Sequence, residues 1–445
     1  MALGGGAFIA QNKILPGVYV NFVSLARSGA MLSERGAAAF PLELDWGVED
    51  NVFSVTNEDF VRNSLSIFGY DYADDKLKGI RELFRNIRTL YAYRLGSGGE
   101  KASCELGVAK YAGERGNDLT VVINEVSDTS SDSSASDFRV RTFIGGTLVD
   151  SQTVSSAASL RDNDFVVWNR EVVLVETAGI PFADGSNGDV SVSSYQRFLD
   201  KIEGEGVNAI GVCSEDPRIN SMFVSYVKNL RDNVGVKTQC VVFNGSGDNL
   251  APDHEGVIVV KNAVMDDDVP KSALVYWVTG LIAGAQINRS NLNRVYDGEF
   301  SVFADFTGRQ LEDTIRDGLF TLHRVGGTLR VLADINSLTT VSDTKGEVFK
   351  DNQTIRVIDQ IASDIARLFN DRYLGTVPND EAGRVSLWAD IVKHHEDLER
   401  IRAIENFSDE DVEVLPGDDK RSVVVNNKVT IVNAMAQVYM TCFIA

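Results

Sequence analysis

Apolar positions along this chain follow three different rhythms. In the first, Asn57–Phe68 predicts a short helix and Asp74–Tyr91 a longer one. In the longer one Leu77, Ile80, Leu83, Phe84, Ile87 and Leu90 fall on one face. Gly96-Ser-Gly-Gly99 then breaks the pattern as a linker would. In the second, from about 100 to 178, β-rich runs replace helices: 105–111, 119–126, 138–144, 147–154 and 165–175. Gly145-Gly146 gives a two-residue hairpin signal between two of them. The polar, low-complexity stretch 127–137 predicts a loop. The third begins near 190 and alternates helix and strand. Helices are expected at 194–204, 217–233 and 270–285, and strands at 209–213, 236–243 and 256–261, an α/β layer with an at least partly parallel sheet. Beyond 305 the pattern predicts a hairpin over 320–335 turning at Gly326-Gly327 and two long helices, 354–372 and 384–404. A strand at 411–414 and a hairpin over 422–432 with a tight turn at Asn426-Asn427 follow.

Both extremities are unusual. Residues 7–23 are mostly apolar and β-prone, and 437–445 form another strand-like apolar run. An apolar strand must pair, either within its own domain or along the sheet edge of a neighbouring molecule, because unpaired backbone groups and exposed apolar side chains are costly. The pattern at both ends favours exchange between copies.

With 445 residues, 44% of them hydrophobic, two to four domains are expected. No window reaches the roughly 18 apolar residues of a membrane span. The N-terminal stretch lacks the basic n-region of a secretory signal. Sixty-four acidic against 43 basic side chains give a net charge of −21, which disfavours nucleic-acid binding. Cys104, Cys213, Cys240 and Cys442 are scattered without metal-ligand spacing and are expected to be reduced.

Little else points to chemistry. Gly96–Lys101 lacks the spacing of a phosphate loop, and no nucleophile elbow is present. His394 and His395 are adjacent on a helix and point about 100° apart, so they are assigned to a solvated face. His254 and His323 stand alone. Asp266–Asp268 are expected to cap the following helix, and Asp184–Asp189 lacks the spacing of a calcium loop. Gly280 and Gly284, four apart on an apolar helix, predict a close backbone approach. No catalytic residue, cofactor or metal is assigned, and an α/β enzyme remains the rival from another class.

Several phrases, in order, resemble the contractile tail sheath proteins of myoviruses, defective prophages and phage-tail-like bacteriocins. They are Leu15–Val20, Gly113–Val121, Gly280–Ala285 with Asn288–Ser290, Asp334–Leu338, Lys345-Gly346, Arg356–Asp359, Tyr373–Gly375 and Tyr439-Met440. The resemblance implies a multidomain α+β and α/β fold: an α/β core, an inserted all-β domain, and a C-terminal α+β sheath domain completed by terminal strands. The corresponding division is an N-terminal arm 1–23, first core part 24–96, inserted outer domain 97–180, α/β core 181–305, inner domain 306–432 and C-terminal arm 433–445. It implies a structural protein that polymerises as stacked six-membered rings around a tail tube and contracts, or the sheath of a non-phage injection particle such as a bacteriocin. Arms would exchange strands between subunits through Phe8, Ile9, Ile14, Val18, Tyr19, Val20, Val438, Tyr439, Met440, Phe443 and Ile444, with Pro16-Gly17 as a hinge. The implied partners are other sheath subunits, the tube protein, and baseplate and terminator proteins, with no nucleic acid and, at rest, no membrane. The implied location is the virion tail, after assembly in the bacterial cytoplasm.

Overall fold

A computed structural model describes residues 32–126, 137–245 and 250–444. The described residues divide into two compact units, those within 34–359 together with 433–444, and 32–33 together with 360–432. The larger is built on a seven-stranded sheet of β1 (Ala37–Glu43), β2 (Val52–Thr56), β3 (Thr89–Leu95), β11 (Ala209–Gly211), β12 (Gln239–Phe243), β13 (Val257–Val260) and β14 (Leu319–Phe320). Its order is β14-β13-β12-β11-β1-β3-β2, parallel except for β2 against β3. Helices cover both faces, as a parallel sheet requires. On one face α1 (Asn57–Phe68), α2 (Lys78–Phe84) and α5 (Leu274–Gly284) pack against Phe40, Leu90, Val241 and Ile258. On the other, α3 (Val192–Ile202) and α4 (Pro217–Asn229) pack against Tyr93, Ile210, Cys240 and Val259. Strand residues alternate between the two clusters, which is the period-two signature of a doubly covered sheet. Helix α5 is apolar all round because it is buried all round. A Cβ on Gly280 would lie 2.6 Å from Leu83 O and one on Gly284 1.7 Å from Asn86 O, so both glycines admit α2 and the turn after it.

Several boundaries differ from the sequence expectation. The helix expected over 74–91 ends at Phe84, and Thr89–Leu95 is strand β3. Ile87 and Leu90 are buried with that helical face, which is why they imitate its period. Asp266 does not cap a helix. Its carboxylate accepts from Ser301 N–H and pairs with Lys78 at 3.2 Å, while Glu215 takes the Lys271 N–H at the helix start. The division drawn at 306 precedes α6 (Gly308–Arg316), which carries the chain to β14, so the sheet extends past it.

The β region forms a four-stranded antiparallel sheet, β10-β6-β7-β8, of β6 (Leu119–Val126), β7 (Asp137–Ile144), β8 (Thr147–Val154) and β10 (Thr177–Pro181). Opposite lies a three-stranded one of β4 (Ser103–Cys104), β5 (Gly107–Ala109) and β9 (Val166–Trp168). Gly145 and Gly146, at φ 54° and 84°, make the predicted hairpin turn. The run at 165–175 is strand only over Val166–Trp168, and β10, not foreseen, takes the sheet edge. Trp46, from the core chain just after β1, plugs this domain beside Tyr111 and Phe165. Two crossings join the domains. Glu100 and Ser186 exchange backbone hydrogen bonds at 3.1 Å, and Gly99 passes where a Cβ would sit 2.1 Å from Ser186 O. The Asp184–Asp189 stretch is therefore part of this neck.

A short hairpin, β15 (Leu322–Val325) and β16 (Thr328–Val331), turns at Gly326-Gly327 as expected and leads to a buried polar network. Asp334 accepts from Asn291 N–H, Asn352 Nδ2 and Arg356, with Asp334 and Arg356 side chains both 0% exposed. Arg231 grips Asp359 with both Nη atoms, at 2.8 and 2.7 Å. A Cβ on Gly256 would lie 2.3 Å from Arg231 Cδ, so the guanidinium stem requires glycine there. Each buried charge thus meets its opposite, the first condition for burying it, while Arg231 Nε and Arg356 Nε and Nη1 find no hydrogen-bond partner among the described residues. Another buried carboxyl, Glu82 on α2, accepts from Glu299 N–H and Tyr296 OH, and burial pushes it up to about 7.

The C-terminal unit holds most of α7 (Asn352–Arg372), α8 (Glu381–Arg400) and two two-stranded sheets. These are β17 (Ile404–Glu405) with β20 (Thr430–Ile431), and β18 (Val412–Pro416) with β19 (Val423–Asn427). Asn426 and Asn427 are not a turn. They pair with Glu413 and Val412, and the reversal lies at Gly417–Ser422, closed by the Gly417 N–H to Ser422 O bond. His394 and His395 are not solvated either, as both are fully buried. His394 Nε2 meets Asp364 at 3.1 Å. His395 Nδ1–H donates to Ile391 O at 2.8 Å and its Nε2 accepts from Asn427 Nδ2 at 2.8 Å. The sequence does not reveal this because polar partners from α7 and β19 satisfy rings that the helix alone would expose. Among the described residues, no helix is long and apolar enough to cross a membrane.

Three outcomes are expected. Asp359→Ala should destabilise the larger unit by about 3–5 kcal/mol in urea unfolding, because it strands the buried Arg231 charge. Glu82 keeps its proton to higher pH folded than unfolded, so its contribution is intact below pH 4.5 and lost as pH rises to about 7. Glu82→Gln should therefore raise stability at pH 8 by up to ~3 kcal/mol and change little at pH 4.5. His395 has the opposite sign: burial pushes it down to about 4, so stability present above pH 6.5 is lost as pH falls towards 4. Thermal unfolding of the His395→Phe variant should show a flatter pH dependence over that window.

Candidate assembly surface

After the last strand the chain leaves the fold under tight local control. Asn433 Nδ2 donates to Thr354 Oγ1 at 3.0 Å, and Ala434 N–H donates to Gln353 Oε1 at 3.1 Å. From there to residue 444 no helix or strand forms, and the strand expected at 437–445 pairs with nothing among the described residues. Met435, Val438, Tyr439, Met440, Phe443 and Ile444 are 80–97% exposed. Covering one such side chain is worth roughly 1.5–3 kcal/mol, so a run of six is an unmet hydrophobic demand. No residue from 433 to 444 is charged. The predicted Val438, Tyr439, Met440, Phe443 and Ile444 thus lie together on one extended segment. Met435 belongs with them, although the sequence reading began the apolar run after it. The predicted Phe8, Ile9, Ile14, Pro16, Gly17, Val18, Tyr19 and Val20 lie outside the described residues.

Complementary edges exist in the C-terminal unit. The β18–β19 hairpin is a two-stranded sheet, marginal by itself, and Leu415, Val424 and Val425 on it are substantially exposed. Both of its outer backbone edges are free of a third strand among the described residues.

Reactive chemistry finds poorer support. The carboxyl ends of β1 and β11 flank a crevice of about 590 Å³, where an α/β enzyme would place its site. It contains Glu43, Cys213, Tyr276 and Asp266–Asp268. Burial pushes the Cys213 thiol up to about 12, so it stays protonated and a poor nucleophile. Elsewhere Asp232 and Glu255 converge on His254, with donor atoms within 4.8 Å of one another. The fold makes this cluster, which sequence spacing does not show. However, His254 Nδ1 accepts from Gly256 N–H at 2.9 Å, so the neutral ring carries its proton on Nε2, towards Asp232. Nε2 then has no lone pair to offer a metal. Glu255 is held by Lys345 at 2.9 Å.

The chain thus ends in an exposed apolar extension. Sequence profiles match in four successive stretches: the tail sheath protein Gp18 domain III N-terminal region over residues 35–95, the phage tail sheath protein beta-sandwich domain over 97–187, the phage tail sheath protein central domain over 188–337, and the phage tail sheath C-terminal domain over 344–445. The phage-like element PBSX protein XkdK of Bacillus subtilis is 28% identical over 475 residues, covering 98% of this chain and 99% of its own. The crystal structure of the sheath tail protein from Desulfitobacterium hafniense is 32% identical with a TM-score of 0.80, over 95% of this chain and 99% of that one. The helical sheath of the anti-feeding prophage in its contracted state shares the fold at 12% identity, with a TM-score of 0.56, over 97% of this chain and 99% of that one. This chain belongs to the phage tail sheath family, whose fold is that of contractile injection-system sheaths.

Proposed function

We propose that the chain is the repeating subunit of a contractile sheath, a structural protein and not an enzyme. It polymerises as stacked six-membered rings around a tail tube, with baseplate and terminator proteins bounding the stack. The observation that carries this is the uncharged tail, rooted on α7 and exposing large apolar side chains along its whole length. Terminal arms reaching into adjacent copies extend small sheets such as β18–β19. Each new strand adds several backbone hydrogen bonds at a net ~0.5–1.5 kcal/mol apiece, besides apolar burial at about 25 cal/mol per Å². A head-to-tail contact whose rotation does not close within one layer generates an open helix. Contraction is a rigid-body repacking of subunits from a metastable extended lattice to a denser one, while the arms stay threaded. The drop in lattice energy drives the tube through a bacterial envelope without nucleotide. The subunit assembles in the bacterial cytoplasm and resides in the tail of a virion or tail-like particle.

Removing 438–445 should leave a monomer with unchanged circular dichroism and melting temperature that forms no tubes in negative stain at concentrations where the full chain does. Long tubes of uniform diameter from the shortened protein would overturn the arm-exchange mechanism.

A further inference from the structure

Between α5 and α6 the chain runs along α2 with little backbone pairing of its own. Tyr296 N–H donates to Leu329 O at 2.9 Å, and Ser301 O accepts from Met265 N–H at 2.8 Å. Residues 297–300, between these ties, make no backbone–backbone hydrogen bond among the described residues. Side chains hold them instead. Glu299 N–H donates to the Glu82 carboxyl, and Phe300 N–H donates to the Tyr296 hydroxyl at 3.0 Å. That hydroxyl in turn donates to Glu82 at 3.1 Å. One carboxyl therefore holds both amides, the first directly and the second through a phenol. Gly298 lies against it, where a Cβ would collide with both Glu82 oxygens and the Tyr296 hydroxyl.

Glu82 is fully buried, and no cation is paired with it among the described residues. On its own helix Arg81 reaches Glu299 at 3.0 and 2.8 Å and Arg85 reaches it at 3.4 Å, while Lys78 pairs with Asp266. Helix α5 presents Trp277, whose Nε1–H is taken by Asp297 at 2.9 Å. After α2, Asn86 accepts from Arg294. Burial pushes Tyr296 above its usual range, and hydrogen bonds from Arg81 hold Glu299 below its own, so neither titrates alongside Glu82. The two donors on Glu82 favour its ionised form, but burial outweighs them. Ionised in place, Glu82 is a buried charge without a counter-ion, which is costly until water reaches it.

We propose that residues 297–300 form a strap that protonated Glu82 holds shut and ionised Glu82 releases. The backbone ties at Tyr296 and Ser301 persist, so the movement is confined to the residues between them. Opening admits water to the carboxyl, which gives its proton to solvent. It also frees Phe300, which is 6% exposed, lines the crevice of about 590 Å³ and lies 5.0 Å under the Lys78 ammonium. One wall of that crevice is thereby made to respond to pH below neutrality. The open carboxyl titrates near 4.5 and the closed one at about 7, so each pH unit between them favours opening about tenfold. Above 7 the gain stops, because both forms are then ionised.

Amide hydrogen exchange of the intact chain, resolved to single residues and corrected for intrinsic rates, tests this from pH 5 to 8. Glu299 and Phe300 should lose protection about 100-fold between pH 5 and 7 and then level off. In Glu82→Gln the same amides should keep their pH 5 protection throughout. In Gly298→Ala, whose methyl group would press on the carboxyl, they should be as poorly protected at pH 5 as at pH 8. A flat profile in the native chain overturns the proposal, as does an unchanged pH dependence in Glu82→Gln or full protection in Gly298→Ala. Strap amides no less protected at pH 8 than those of β12 would show that ionisation loosens the whole unit, and would overturn it too.

Discussion

The larger unit hangs on two ion pairs withdrawn from water. Asp334–Arg356 and Arg231–Asp359 bind the first turns of α7 to the chain after β16 and to the helical turn that follows α4. A charge in such a place tolerates no slack, since losing its partner costs far more than the pair itself contributes. The position of α7 is therefore set by geometry that cannot relax gradually. Thr354 and Gln353, on the same turns, hold the root of the tail. The extension that leaves the fold thus starts from one of its most firmly held points.

Around that anchor the architecture has the layered plan of an α/β domain. A parallel sheet with helices on both faces creates a crevice at the carboxyl ends of β1 and β11, where burial pushes the Cys213 thiol up and Asp266 is bonded to Ser301 and Lys78. The inserted β domain is joined through a neck of glycine-lined crossings and keyed by Trp46. Arg94, fully buried, reinforces the junction by donating to Leu44 O, Gly47 O and Ala112 O. Polar groups in this molecule mostly fasten one segment to another.

Phrases by which the chain resembles its family acquire a physical meaning from these contacts. Asp334 and Asn336, Arg356 and Asp359 are members or neighbours of the buried network, Lys345 holds Glu255, and Gly280 and Gly284 admit α2. Tyr373 and Leu374 line a cleft at the end of α7. Such residues are constrained by packing and hydrogen bonding, which is why they form a recognisable order without forming a catalytic motif.

Local signals were sufficient for much of this. The helices at 57–68 and 352–372, the glycine turns at 145–146 and 326–327, the alternation beyond 190 and the apolar character of 438–444 follow from side-chain period and backbone freedom, properties of neighbours in sequence. Tertiary structure decided the rest. Leu90 carries the same apolarity whether it ends a helix or begins β3, and only its place beside β1 selects the strand. His394 and His395 are polar on any scale, yet Asp364 and Asn427, brought from α7 and β19, let them be buried. The terminal run has strand composition but no strand, because hydrogen bonding in a sheet belongs to a pair of segments and composition specifies only one of them.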